Sequence, residues 1–212
     1  MKKFALAIAA GLAATFAAGS ASAALIDFAA EGSNGGERAI ADGAILNTTK
    51  LGGLNLQFTA GVGADGVDVP YFNGKANNQA PGLGVCTNPS LSDTCSPGYD
   101  FAISPGEWVR VAFLDSPFRI RAMSFGVDPL DGDSSGLVTI TTSLKGLVSA
   151  LTLTFAEASV FDFGFVDWVQ FDVANTEFVV ASISDIPLPG ALPLLLSGLA
   201  GLGFAASRRR KA

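Results

Sequence analysis

"LVTITTSLKGLVSALTLTF", residues 137–155, holds two runs of alternating side chains joined by Lys145-Gly146. A period of two sends successive side chains to opposite faces of a strand, and Val, Ile and Thr suit a pleated surface. Lys-Gly between two such runs predicts a tight two-residue hairpin, because glycine accepts the positive φ that primed turns require. The same pattern extends outward on both sides. "LNLQF" (54–58) sets Leu54, Leu56 and Phe58 against Asn55 and Gln57. "WVRVAF" (108–113) and "FRIRAMSF" (118–125) are joined by the turn-rich "LDSP", with Arg119 and Arg121 on one side and Phe118, Ile120 and Ala122 on the other. "FVDWVQFDV" (165–173) and "EFVVASIS" (177–184) flank Ala174-Asn175-Thr176, and place Val169, Phe171 and Val173 inward against Gln170 and Asp172. Shorter strands are expected at "LIDFA" (25–29) and "VDVPYF" (67–72).

About nine or ten strands with almost no helical period predict an all-β domain over residues 24–185, an antiparallel, jelly-roll-like β-sandwich. An up-and-down barrel is the alternative. Sixteen phenylalanines supply core bulk. Residues 61–106, rich in Gly, Asn, Pro and Asp, read as long loops at one end. No internal repeat is evident.

The two ends carry different signals. Lys2 and Lys3 precede an apolar stretch, Phe4 to Ala18, and Ala21-Ser22-Ala23 fits the small-residue rule for signal peptidase. Residues 1–23 therefore read as a signal peptide cleaved between Ala23 and Ala24; an uncleaved membrane anchor is the other reading. At the opposite end, Leu188 to Ala206 is 19 residues without a charge. At about 1.5 Å per residue, such a helix roughly spans a hydrocarbon core of about 30 Å. Arg208, Arg209, Arg210 and Lys211 should then remain cytoplasmic under the positive-inside rule, with the body on the far side of the inner membrane. A buried C-terminal core helix is the competing reading, but the segment lacks a polar stripe. Pro187 and Pro189 keep the preceding backbone extended, as either a processing enzyme or a plain linker would require.

The order of motif, apolar helix, basic cluster and stop over residues 186–212 resembles the PEP-CTERM sorting signal of Gram-negative bacteria, most closely the VPLPA-CTERM variant. Here the motif reads Ile186-Pro187-Leu188-Pro189-Gly190, with Ile for Val, Gly for Ala, and Leu188 where the wider family carries glutamate. The resemblance implies processing near the motif by an exosortase-type membrane enzyme. It also implies delivery to the cell surface or extracellular matrix, and a link to exopolysaccharide or biofilm.

Between its targeting segments the chain is strongly acidic. Residues 24–185 hold seven cations and all nineteen acids, 7 − 19 = −12. Such a body repels nucleic acid and can attract cations. The two cysteines, Cys86 and Cys95, lie in a loop-like stretch of an exported body, which predicts a disulfide. Half of a metal site is the alternative, although no third cysteine and no histidine would complete it. The absence of histidine removes Ser-His-Asp and Cys-His catalysis. Glu107, Glu157 and Glu177 are the natural carboxylates for glycoside hydrolysis, but nothing in their spacing marks a pair, and no catalytic residue is assigned. Asp128, Asp131 and Asp133 beside Gly132 offer hard oxygen ligands suited to Ca²⁺, without the glutamate of a full EF-hand loop; a solvated acidic turn between two strands, where Asp and Gly are favoured anyway, is the plainer reading. No other cofactor is expected. Trp108, Trp168, Tyr71 or Tyr99 could stack on sugar rings, with Asn73, Asn77, Asn78 and Gln79 bonding hydroxyls. Placement within strands favours core packing for both tryptophans. The composite expectation is an exported structural or binding protein. A carbohydrate-active enzyme on the same scaffold and an uncut membrane-anchored protein are the alternatives.

Overall fold

The computed structural model describes residues 24–33, 36–61, 68–74, 80–87, 95, 101–127 and 136–185. In chain order these form β1 (Leu25–Asp27), α1 (Phe28–Gly32), β2 (Arg38–Ala39), β3 (Ile45–Leu46), a 3-10 turn (Thr49–Leu51), β4 (Leu56–Gly61), β5 (Val69–Asn73) and β6 (Gly82–Cys86). There follow β7 (Trp108–Phe113), β8 (Phe118–Ile120), β9 (Ala122–Val127), β10 (Leu137–Leu144), β11 (Leu147–Thr154), α2 (Phe155–Ala158), β12 (Gly164–Val166), β13 (Trp168–Val173) and β14 (Phe178–Ser184).

The strands pair antiparallel throughout. One sheet runs β1-β14-β6-β5-β2, with β9 on the other side of β14; the second runs β11-β10-β13-β7-β4-β3; β12 and β8 form a short ribbon. Neither sheet closes into a barrel. Their inner faces share one core. Phe58, Val109, Val111, Ile140 and Phe171 of the second sheet meet Ile26, Phe72, Leu83, Phe178 and Val180 of the first. Phe125 bridges the layers, with its ring centroid 6.3 Å from that of Phe171 and 5.7 Å from that of Phe178. The inward alternation of Val169 and Phe171 is as expected, and both are fully buried.

The hairpin at Lys145-Gly146 forms as its sequence predicts. Leu144 pairs with Leu147, and the turn residues take φ of 52° and 80°. Three expected strands are shorter than their patterns. "FRIRAMSF" breaks at Arg121: β8 pairs with β12, whereas β9 joins the other sheet beside β14. "FVDWVQFDV" breaks at Asp167, whose N–H donates to the Ser143 carbonyl. "LIDFA" ends at Asp27, because its carboxylate caps α1 by accepting from the Ala30 N–H at 2.8 Å.

A capping box ends β11 in the same way. The Thr154 hydroxyl and the Glu157 carboxylate satisfy each other's backbone N–H groups, so Phe155 opens α2. Within residues 61–106 the strand expected at 67–72 forms as β5, and the stretch otherwise read as loops contains a further one, β6. The glycines of β6 serve close packing: a Cβ on Gly84 would fall on the Phe101 carbonyl oxygen, and one on Gly82 would lie 2.6 Å from that of Val180.

Candidate functional site

The alternation that buries Val109, Val111, Val169 and Phe171 turns their neighbours to the opposite face of the second sheet. Registration then sets these outward residues in rows. One row runs Ala150, Thr141, Gln170, Arg110, Thr59 across β11, β10, β13, β7 and β4. The next runs Thr152, Thr139, Asp172, Trp108, Gly61. Trp168 lies in a third row, between Ser143 and Ala112.

Both tryptophans are half-buried and belong to this outer face, so core packing, the expectation for residues within strands, is overturned. The Trp108 indole lies over Gly61, where a Cβ would collide with the ring; glycine opposite tryptophan lets the indole lie down on the sheet. The Arg110 guanidinium sits with its carbon 4.1 Å from the Trp168 ring centroid and 5.1 Å from that of Trp108. Arginine's planar, weakly hydrated cation suits an aromatic face. Its Nε and Nη2 donate to Gln170 Oε1 at 3.1 and 2.6 Å. Gln170 Nε2 in turn donates towards both oxygens of Asp172 at 3.2 Å. Burial lifts the Asp172 carboxyl above its ordinary value, outweighing the opposing pull of the Gln170 amide and the Arg110 charge. Threonines border the cluster, and the Thr139 and Thr152 hydroxyls lie 2.9 Å apart.

Flat aromatic surface beside fixed hydrogen-bonding groups is the chemistry that a sugar ring requires. The apolar C–H face of a pyranose covers an indole, while its hydroxyls exchange hydrogen bonds with amide, carboxylate and hydroxyl groups. The Trp-x-Arg of "WVRVAF" and the Trp-x-Gln-x-Asp of "WVQFDV" were the available signals for Arg110, Gln170 and Asp172. They are the outward positions of two alternating strands.

The other candidate residues divide. Cys86 and Cys95 form the expected disulfide, with Cα atoms 5.7 Å apart, beneath Tyr71 and Phe101. Tyr71 is fully buried and donates its hydroxyl proton to Glu37 Oε1 at 2.9 Å, so it is no sugar platform. Burial, and then the Glu37 carboxylate, push its phenol well above the usual tyrosine range. Asn73 ends β5 in the interior, where its Nδ2 donates to the Ala80 carbonyl. Glu107 is buried and accepts from the Thr87 hydroxyl and the Ser104 N–H. Glu157 belongs to the capping box, and Glu177 lies between β13 and β14.

Asp128, Asp131, Asp133, Tyr99, Asn77, Asn78 and Gln79 fall outside the described residues, as do Ala21 and Ala23, the motif Ile186–Gly190, the apolar span 188–206 and Arg208–Lys211. Among the described residues no three Asp, Glu, Cys or His side chains converge to hold a metal, and no helix is long and apolar enough to cross a membrane. Comparison with protein-family models, curated proteins and solved structures finds no match to this chain.

Proposed function

We propose that this is an exported protein of the cell surface or extracellular matrix, structural or binding rather than catalytic, whose jelly-roll-like β-sandwich holds exopolysaccharide. The carrying observation is the outward Trp108–Arg110–Trp168 stack with Gln170 and Asp172 beside it. The first residues supply a signal peptide ending at Ala23. The last 27 supply a PEP-CTERM-like sorting signal: an exosortase-type motif at Ile186–Gly190, an inner-membrane helix, and Arg208, Arg209, Arg210 and Lys211 as the cytoplasmic stop. Binding is favoured over hydrolysis because the rows around the tryptophans carry one carboxylate, Asp172, whereas glycoside hydrolysis uses two, about 5–10 Å apart.

The chain's two tryptophans both lie on this face, so intrinsic fluorescence reports its occupancy. Titrating the protein with acidic and neutral bacterial polysaccharides should quench or shift that emission saturably. Unchanged emission with every polysaccharide, and none co-sedimenting, would overturn the reading.

A further inference from the structure

β11 forms one margin of the second sheet, and among the described residues it is paired on one edge, with β10. Leu144 and Leu147 flank a two-residue turn and so form a hydrogen-bonded pair. Alternation then turns the N–H and C=O groups of Val148, Ala150 and Thr152 away from β10. The usual protections of a sheet margin are missing here: Leu147 to Phe155 contains no charge, proline or glycine, and the pairing with β10 runs without a bulge. Leu147, Val148 and Leu151 are 81%, 63% and 38% exposed. The opposite margin of the sheet, β3, is two residues long.

We propose that β11 pairs edge to edge with β11 of a second copy of this chain, joining two second sheets across a twofold axis. Charge selects the occupant. The body carries 7 − 19 = −12, so most faces of two copies repel, but this strand is neutral and its ends differ in sign. Lys145 lies at the hairpin tip and Glu157 just past the foot, both exposed. Antiparallel pairing brings the Lys145 of each copy towards the Glu157 of the other, at both ends alike. A register centred on Ala150 pairs Ala150 with its own counterpart and Val148 with Thr152, so all three free residues exchange hydrogen bonds. The same step covers the exposed leucines and extends the threonine-bordered outer face from one copy to the next.

Cysteine cross-linking of the full chain, kept in detergent micelles with its Cys86–Cys95 disulfide formed, tests this without reference to any polysaccharide. A150C should oxidise to a disulfide-linked species of doubled mass on a non-reducing gel. A112C, at an interior position of the same face, should not. V148K, which places a charge on the free edge, should return the sedimenting species from dimer to monomer with an unchanged β-sheet circular dichroism spectrum. Equal cross-linking of A150C and A112C, a monomeric unmodified chain at every concentration, or a doubled mass that survives in V148K would overturn the proposal.

Discussion

Arg110 lies against two indoles, and its hydrogen bonds go to one amide oxygen rather than to a carboxylate. Its work is to keep the rings in place while retaining a charge at the surface. W168A removes a ring from the proposed platform and frees the guanidinium. Polysaccharide affinity should fall about tenfold or more, the equivalent of about 1.4 kcal/mol of stacking and cation–π contact. Isothermal titration against the best-binding polysaccharide checks it. R110K keeps the charge but not the plane or the paired donors to Gln170, and should weaken binding as well, with little loss of fold.

Asp172 gives a prediction with a definite sign. Its folded pKa lies above the unfolded value, so the folded state holds that proton more tightly. The stabilisation this brings is complete below the ordinary value of 3.8 and is lost as pH rises through the folded value. At neutral pH the ionised carboxylate therefore opposes folding. D172N, which keeps an acceptor for the Gln170 amide, should melt at a higher temperature than the unmodified protein at neutral pH. The advantage should shrink as pH falls through the folded value towards 3.8, and be gone below 3.8, in a series of thermal melts.

At the level of elements, β6 shows how packing can outvote local preference. G84A adds one methyl group where the Phe101 carbonyl already sits, and should cost at least about 2 kcal/mol in denaturant unfolding. Replacing both Cys86 and Cys95 by alanine opens a short loop, and should cost ~2–3 kcal/mol by the same measurement. The hairpin at Lys145-Gly146 was legible because alternation and turn chemistry agree there. Gly82 and Gly84 misled, because a glycine admitted for close backbone approach looks the same in sequence as one that ends a strand. The break at Arg121 is quieter: alternation carries on to Ala122, and the mark of the change of sheet is a slip of phase there, after which Met123 and Phe125 rather than Ala122 and Ser124 meet the core. The site was half legible. Placement within strands sent Trp108 and Trp168 inward, whereas alternation grouped them with Arg110 and Gln170 on the far side of Val109 and Val169, and alternation prevailed.

For the whole molecule, the proposed route makes a prediction about mass. The mature protein from its native cell should begin at Ala24 and end near Ile186–Gly190, as read by intact-mass spectrometry; a chain retaining Arg208 to Lys211 would show an uncut anchor. The first and last described residues are neighbours in space. Leu25 pairs with Ser184, and the Asp185 N–H donates to the Ala24 carbonyl at 3.2 Å. The last strand, β14, takes β9 on one side and β1 and β6 on the other, and among the described residues neither β1 nor β9 has another strand partner. A chain delivered from its N-terminus therefore waits for its final strand. Until residues 178–184 emerge, half of the sandwich has no keystone, and assembly can finish only when the segment that leads into the tail has itself arrived.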